Sequence, residues 1–440
     1  MRLQITMVKA ATERVYTRRI GALHKAAPGL QVQNAIRWGA PDCKVSSQGP
    51  RERDQGQGPI SAGETPIPWA EVLMRVEMTQ PAQFLAAGDG WPVLSLFSGA
   101  GGFDLGFRSA GFLPGLAVDF EPAAVETYKK NHPGTAVDLL DLSKTKPTDL
   151  VKRWKAVMGS KGPRGIIGGP PCQAFSISNV HQRTGDPRYK LLPRYAGIIE
   201  AFASELGLDF FVFENVPGLI QVRHQRRYKL FKARCDAAGF RVSEKVVDAG
   251  NFGIPQHRRR LIIVGINKKR FPDLKLEVPE GDEEPLTTRA ALTGMPEPTY
   301  ARKGLKANEV PFHPNHVAMV PRSSKFTNGQ LAPGDRRGRS FRVLEWDSPS
   351  YTVAYGHREV HIHPDRHRRL SVYEAMVLQG FPEWYELKGT LSQQIQLVSD
   401  ALPPPLGQGI AQTISVALCY KPESANGTGG RQERVANQVG

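Results

Sequence analysis

The chain has 440 residues, of which 40% are hydrophobic, and its formal net charge is +16. This length supports roughly two or three globular domains, and so large an excess of positive charge predicts an anionic partner, with nucleic acid as the first candidate. The four cysteines lie far apart without a Cys-x-x-Cys pair and no apolar run reaches membrane-spanning length, which argues against a disulfide framework, a metal site, a membrane partner or a secreted protein and favours the cytoplasm.

The N-terminal region, residues 1–90, is predicted to be a largely disordered extension. Residues 46–68 are rich in Gly, Pro, Ser, Gln and charge and contain almost nothing to bury. Met74 or Met78 is an alternative natural start. The polar, Gly-rich tail at residues 421–440 is predicted to be disordered for the same reason.

A regular alternation of strands and helices begins near residue 93. Short apolar runs predict strands at residues 93–97, 113–118, 165–167, 210–213 and 261–266. Helices are predicted from the glycine turn after the first strand up to Arg108, and at residues 123–131, 195–206 and 228–238. Such alternation predicts an α/β fold with a mostly parallel sheet covered on both faces, whose ligands lie at the carboxyl ends of the strands.

The predicted domain organisation follows from where this alternation stops. Residues 91–270 and 392–420 are assigned to the α/β domain. Residues 271–391 are assigned to a smaller, irregular domain, because Pro, Arg and His are frequent there and strands are hard to recognise. No internal repeat is evident.

The first predicted strand runs into a glycine-rich turn, Ser98-Gly-Ala-Gly-Gly102. Glycines let a backbone turn tightly and approach a ligand closely, but the spacing is not the dinucleotide fingerprint, because Asp104 stands at its third glycine. Asp119 ends the second strand, where a carboxylate can accept hydrogen bonds from both ribose hydroxyls of a nucleoside. Asp141 follows the next short segment and is a candidate partner for an adenine amino group. Together these features favour a nucleoside cofactor over a merely structural turn.

Cys172 lies in a loop after another predicted strand, Gly168-Gly-Pro-Pro-Cys-Gln-Ala-Phe-Ser176. The two prolines fix the backbone and remove two donors, so a thiol presented there at the carboxyl end of a strand suits a nucleophile. Glu214 ends the next strand, after four apolar residues. Partial desolvation raises the pKa of such a carboxyl group and favours a proton donor at neutral pH; a capping or ion-paired glutamate is the alternative.

The order of these motifs resembles that of the cytosine-carbon-5 DNA methyltransferases of bacterial restriction-modification systems. The shared blocks are Phe-Ser-Gly-Ala-Gly-Gly, Gly-Pro-Pro-Cys-Gln-Ala-Phe-Ser, Glu-Asn-Val, Pro-Gln-His-Arg-Arg-Arg and residues 369–382, and the match spans residues 93–418. The resemblance implies a Rossmann-like class I methyltransferase domain with a smaller target-recognition domain, and S-adenosyl-L-methionine as the cofactor. It implies methyl transfer to carbon 5 of a cytosine in a specific double-stranded DNA sequence, by base flipping and a covalent Cys172 adduct. The expected setting is a bacterial cytoplasm or nucleoid, where the enzyme is a monomer and a cognate restriction endonuclease acts separately.

The resemblance also assigns roles to individual residues. The catalytic set is Cys172, Glu214, Arg258 and Arg260. The cofactor-binding set is Phe97, Gly99, Ala100, Gly101, Gly102, Asp119, Phe120, Asp141, Leu142, Pro170, Leu191, Asp400 and Ala401. The DNA-binding set is Gln173, Ser176, Arg183, Arg188, Asn215, Gln256, Arg336, Arg337 and Arg339. The last three lie in the predicted target-recognition segment, about residues 280–355.

One position departs from the family's pattern. The final block reads Val-Ser-Asp-Ala-Leu-Pro-Pro, so Asp400 stands where the family usually has Asn. A carboxylate lacks the two donors of the amide and adds charge, which predicts a lower cofactor affinity, or a protonated or paired Asp400. Two alternatives stay open: an RNA cytosine methyltransferase on the same fold, and a DNA-binding homologue with impaired catalysis.

A chain that begins at Met78 is expected to fold and to methylate DNA at a near-normal rate. The reason is that the residues before about 90 lack the apolar periodicity of a packed domain. Methylation rates of this truncated protein and of the full chain, measured side by side, check the expectation. A large loss would mean that the extension packs on the core or clamps DNA.

Overall fold

The computed structural model of the protein describes residues 90–171, 187–329, 331–334, 341–352 and 361–419. The strands are β1 (Trp91–Leu96), β2 (Phe112–Asp119), β3 (Ala136–Leu139), β4 (Gly165–Gly168), β5 (Phe210–Asn215), β6 (Phe240–Asp248), β7 (Gln256–His257), β8 (Arg259–Asn267), β9 (Thr299–Tyr300), β10 (Val317–Ala318) and β11 (Ser350–Tyr351). The helices are α1 (Gly102–Ser109), α2 (Pro122–Asn131), α3 (Pro147–Met158), α4 (Leu191–Glu205), α5 (Gln225–Ala237), α6 (Thr288–Leu292), α7 (Ser324–Thr327), α8 (Val372–Val377), α9 (Leu391–Asp400) and α10 (Pro404–Cys419). Apart from Gly90, the predicted extension at residues 1–90 lies outside the described residues, as does the predicted tail.

Seven strands form the central sheet in the order β3-β2-β1-β4-β5-β8-β6. Every pair is parallel except the two made by β8, which runs antiparallel to β5 and to β6. The predicted mostly parallel sheet is confirmed. The strand order reverses between β1 and β4, and in open sheets the crevice beside the carboxyl ends of strands at such a reversal is where ligands bind.

Alternate side chains along the buried strands point into two hydrophobic cores, one on each face of the sheet. Leu94 and Phe211 belong to a cluster with residues of α3, α4 and α5. Val93 and Phe210 belong to a second cluster with residues of α1 and α10. All four side chains are fully buried. Strands buried on both faces read as continuous apolar runs, which is why the sequence identified them.

A third core joins the predicted smaller domain to the α/β domain. Ala100, in the glycine turn, clusters with Tyr373 of α8 and Val398 of α9. The Tyr385 hydroxyl donates a hydrogen bond to the Ala100 carbonyl, and β11 pairs in parallel with β7. The described part of residues 271–391 therefore packs directly on the α/β core, and the predicted division into two domains stays a prediction. In the described ranges, no helix has the length and apolar character needed to cross a membrane.

Candidate active site and cofactor cavity

A cavity of about 700 Å³ opens at the reversal of strand order. Its walls come from the carboxyl ends of β1, β2, β4 and β5 and from α9. The predicted residues on this wall are Phe97, Gly99, Ala100, Gly102, Asp119, Phe120, Pro170, Glu214, Arg258, Arg260, Asp400 and Ala401. Residues more than 300 positions apart in the sequence thus line one space.

The glycine turn at the end of β1 has an unusual backbone. Phe97, Gly99 and Gly101 all have positive φ angles, of 53°, 53° and 79°. Two of these positions are glycines, which adopt such angles at little steric cost, whereas Phe97 is held there against its preference. The turn closes through the Gly101 amide, which donates to the Ser98 carbonyl at 2.8 Å. Strained backbone of this kind concentrates at functional sites.

Asp119 at the end of β2 holds this turn in place. Its Oδ2 accepts a hydrogen bond from the Gly99 amide at 2.8 Å, and its Oδ1 accepts one from the Glu121 amide at 2.9 Å. Burial raises the pKa of Asp119, while these amide donors oppose the shift. Each carboxylate oxygen can accept more than one hydrogen bond, so the carboxylate keeps capacity for ligand hydroxyls.

Glu214 and the two arginines of the predicted catalytic set meet on the cavity wall. Arg260 Nε lies 2.8 Å from Glu214 Oε1. Burial raises the pKa of Glu214; Arg260 and Arg258 lower it, and the negative charge of Asp400 raises it further. Arg258 is buried and donates to the Ser399 carbonyl at 3.0 Å and to the Asp400 carbonyl at 3.3 Å. The structure therefore gives Arg260 the contact with Glu214 and makes Arg258 a brace for the end of α9.

The loop that leads to Cys172 is anchored to the strand that carries Glu214. The buried side-chain amide of Asn215 donates to the Pro170 carbonyl at 3.2 Å. At Gly169 any Cβ would collide with a Glu214 carboxylate oxygen, so glycine is needed for the close approach of loop and carboxylate. Pro171 lines the cavity. Cys172 follows it in the chain but lies outside the described residues.

Several predicted site residues lie elsewhere. Gly101 caps α1, Asp141 accepts a hydrogen bond from the Ser143 hydroxyl at 2.6 Å, and Leu142 and Leu191 are buried; none of the four lines the cavity. Asn215 and Gln256, predicted to contact DNA, are both fully buried. Their predicted contact with DNA stays a prediction. Arg188 is half-buried. Gln173, Ser176, Arg183, Arg336, Arg337 and Arg339 lie outside the described residues.

The sequence interpretation missed most of the wall formed by α9. Gln393 donates to Glu121 at 3.1 Å, and Gln396 donates to Asp400 Oδ2 at 2.6 Å. Both glutamines and Glu121 line the cavity. The start of this helix had a signal in the sequence, since Thr390 and Gln393 form a capping box. Its position on the wall of this cavity had none.

Beneath the turn lies a buried polar cluster that includes Asp104. Tyr128 donates to Asp104 Oδ1 at 2.8 Å, and the His132 ring nitrogen Nε2 lies 2.9 Å from the Tyr385 hydroxyl. Burial raises the pKa of Asp104 from 3.8 to about 6, although Ser95, Tyr128 and Arg108 oppose the shift. A carboxyl group with a raised pKa binds its proton more tightly in the folded chain than in the unfolded chain, so its contribution to stability falls as pH rises from about 4 to about 6.

The free energy of unfolding of the Asp104→Asn protein, relative to that of the wild type, is expected to increase as pH rises. The amide stays neutral and still accepts from Tyr128, so the gain in unfolding free energy between pH 5 and 7.5 should be about 1–2 kcal/mol. Urea unfolding at the two pH values measures it. Asp149→Asn, on an exposed position of α3, is the control. Equal effects of Asp104→Asn at both pH values would show that Asp104 does not titrate in this window.

One further cluster of polar side chains lies away from the cavity. The possible metal-ligating atoms of His363, Asp365 and His367 lie within 4.8 Å of one another. Trp346 donates to Asp365 Oδ1 at 3.0 Å, and His367 contacts Glu297 at 3.0 Å. These hydrogen bonds explain why the three side chains lie close together without a metal ion. The expectation of no metal site stays a prediction.

Comparison with known proteins identifies the family. The family model described as C-5 cytosine-specific DNA methylase matches residues 92–416. The chain belongs to this family. This DNA cytosine-5 methyltransferase is 30% identical over 351 residues to the Type II methyltransferase M.MthTI of Methanothermobacter thermautotrophicus, with 74% of this chain and 97% of the relative covered. It is 31% identical over 358 residues to M.NmeDI of Neisseria meningitidis serogroup C, with coverages of 74% and 84%.

Solved structures agree with the fold of this methyltransferase. A candidate DNA modification methyltransferase encoded within a prophage, from E. coli, superposes with a TM-score of 0.60 at 25% identity, covering 75% of this chain and 99% of that one. The methyltransferase EhMeth of Entamoeba histolytica shares the fold at a TM-score of 0.52 and 14% identity, with coverages of 75% and 98%. The predicted Rossmann-like methyltransferase fold is confirmed.

The cavity fits S-adenosyl-L-methionine, the methyl donor of this methyltransferase family. Its volume lies in the range of cofactor sites, roughly 300–1,000 Å³. The buried Ser98 hydroxyl on its wall has no hydrogen-bond partner among the described residues, so it leaves a polar atom for a ligand. Phe120, 58% exposed, offers an apolar surface beside the Asp119 carboxylate.

Asp119→Ala is expected to weaken S-adenosyl-L-methionine binding by about 10–100-fold, the usual worth of hydrogen bonds to a charged group. The substitution removes the acceptors for ligand hydroxyls and also releases the Gly99 amide. Titration calorimetry measures the affinity, with Asp149→Ala as the surface control. Unchanged affinity in a folded Asp119→Ala protein would remove Asp119 from the cofactor site.

Proposed function

We propose that this methyltransferase modifies carbon 5 of a cytosine within one specific double-stranded DNA sequence, through a flipped base and a covalent bond to Cys172. The observation that carries the proposal is the contact between Arg260 Nε and the Glu214 carboxyl group on the cavity wall. It lies beside the anchored Gly-Gly-Pro-Pro loop that leads to Cys172. This arrangement supports Glu214 as the proton donor and Cys172 as the nucleophile at the cofactor cavity.

The reaction needs a nucleophile because carbon 5 of cytosine reacts poorly with electrophiles. The Cys172 thiolate forms a bond to carbon 6, and the ring electrons then make carbon 5 nucleophilic. Bound S-adenosyl-L-methionine supplies an electrophilic methyl group on a sulfonium. After carbon 5 has gained the methyl group, a base removes the carbon-5 proton, and the electron pair expels Cys172 as thiolate. The enzyme is regenerated without an oxidant or reductant.

Glu214 acts on the ring while the thiolate adds. Addition to carbon 6 places negative charge on the ring unless nitrogen 3 gains a proton, and a carboxyl group with a raised pKa can donate one. Arg260 orients that carboxyl group. Arg258 keeps the end of α9 against the cavity through the Ser399 and Asp400 carbonyls. The charge of Asp400 acts on Glu214 in the same direction as burial, so the departure from the family's Asn favours the protonated carboxyl.

The target carbon lies inside the base stack of a duplex, so the nucleotide must leave the helix to reach the cavity. The net charge of +16 provides attraction to phosphates that does not depend on sequence. Sequence choice requires groups that reach base edges, which we place between about residues 280 and 355. We further propose that the enzyme is a monomer and modifies DNA that a separate restriction endonuclease would otherwise cut.

Bisulfite sequencing of DNA from cells that express the protein tests the proposal. The expected result is cytosine-5 methylation confined to one short sequence, absent from cells that express the Cys172→Ser protein. Methylation of cellular RNA with unmodified DNA would overturn the choice of substrate. Unmodified DNA and RNA would instead support the alternative of a DNA-binding homologue with impaired catalysis.

A further inference from the structure

A strongly basic surface lies outside the cavity, on the segment after β5. Residues 215–235 contain no Asp or Glu, and neither do residues 187–199. The two segments contact each other, since the Arg227 guanidinium lies 4.2 Å from the centre of the Tyr189 ring, and the ring centres of Tyr189 and His224 are 5.8 Å apart. Two acid-free stretches are therefore packed side by side.

The cations of this surface differ from those farther along α5. Arg223, Arg226, Arg227 and Lys229, here called the basic edge, are all exposed. Within the described part of the chain, no carboxylate forms an ion pair with any of them. Farther along α5, by contrast, Lys232 pairs with Glu244 at 2.9 Å and Arg234 pairs with Glu200. The concentration of unneutralised charge is thus a local feature of the start of the helix.

The basic edge lies at the carboxyl ends of the parallel strands, where the cavity also opens. β5 ends at Asn215, one residue after Glu214, and the chain then passes through the short turns Pro217–Ile220 and Val222–His224 into α5. The turn that carries Tyr189 likewise precedes α4 on this side. His224 does not add to the charge, because burial and the neighbouring Arg223 and Arg227 lower its pKa.

We infer that the basic edge is a second contact surface for the phosphate backbone of the DNA, separate from the segment that reads sequence. The inference rests on the proposed action on duplex DNA. Exposed cations without carboxylate partners are free to replace condensed counterions on phosphates, which gives affinity without sequence choice. The cavity opens at the carboxyl ends of the strands, where the basic edge also lies, so a duplex whose cytosine enters the cavity would bring its flanking phosphates towards Arg223 and Arg226.

The double substitution Arg223→Gln and Arg226→Gln tests the inference. The affinity for a fluorescein-labelled 30-base-pair DNA duplex of arbitrary sequence is measured by anisotropy over a series of KCl concentrations. Loss of two phosphate contacts should reduce the slope of log affinity against log salt by about 1–2. The matched control is Lys161→Gln with Lys269→Gln. These two exposed lysines lie at the amino ends of the parallel strands, because Lys161 precedes β4 and Lys269 follows the antiparallel β8. No described carboxylate pairs with either.

The expected result is a reduced slope for the edge variant only, with the methylated sequence in bisulfite data unchanged. Equal slopes for edge and control variants would overturn the inference, because net charge alone would then explain the binding. A 30-base-pair RNA duplex that loses more affinity than the DNA duplex would assign the surface to RNA instead. These outcomes concern binding, so a wild type that fails to methylate DNA would overturn the proposed function and not the assignment of the surface.

Discussion

Replacing Cys172 with serine is expected to abolish methyl transfer, by at least about 1,000-fold, the scale on which loss of a covalent nucleophile acts in other enzymes. A serine hydroxyl is not ionised near neutral pH, whereas a thiol is partly ionised and intrinsically more nucleophilic. Methyl incorporation from labelled S-adenosyl-L-methionine in single turnover measures the loss. DNA affinity should survive, because Pro171 and Asn215, which shape and anchor the loop, are unchanged.

The control for this substitution is Cys419→Ser, at the exposed cysteine that ends α10. It should keep the wild-type rate. A duplex with 5-fluorocytosine at the target should form a covalent complex with the wild type and with Cys419→Ser but not with Cys172→Ser, because fluorine prevents the final loss of the carbon-5 substituent. Wild-type activity in Cys172→Ser would contradict the covalent mechanism.

Glu214→Gln is expected to slow methyl transfer by about 100-fold or more, the usual effect of removing one preorganised stabiliser. Glutamine fits the same space and offers an N–H donor, but it cannot give a proton to the ring. The single-turnover rate should fall while the affinity for DNA changes little. A change confined to the Michaelis constant for DNA would contradict the role in chemistry.

The pH dependence of the rate separates proton donation by Glu214 from a purely structural role. Burial raises the pKa of Glu214, so the protonated donor is present at low pH and is lost as pH rises through that pKa. The wild-type rate should decline across that range, and the decline should be absent in Glu214→Gln. Glu244→Gln, on the partly exposed partner of Lys232, is the matched control and should keep both the rate and its pH profile.

The sequence by itself predicted the ranges of five of the seven strands of the central sheet, and its motifs indicated the family. Strands buried on both faces must be apolar along their whole length, so β1, β4, β5 and β8 are visible as runs in the chain. The motifs at their ends are local, because a tight turn needs glycine at Gly99 and a rigid loop needs the prolines before Cys172. The fold class followed from these short-range requirements, whereas the cofactor and the reaction followed from the resemblance of the ordered motifs to the DNA cytosine-5 methyltransferases.

Only the tertiary structure decided which side chains share the cavity. Arg258 donates to the carbonyl of Ser399, 141 positions away, and the amide of Asn215 holds Pro170, 45 positions away. Burial of Gln256 and Asn215 also follows from packing, and a polar side chain in a motif does not reveal whether it faces the solvent or the core. The α9 wall is the clearest case, because its position depends on the third core that joins residues 100–124 to residues 372–401, and no local pattern encodes contacts between such distant segments.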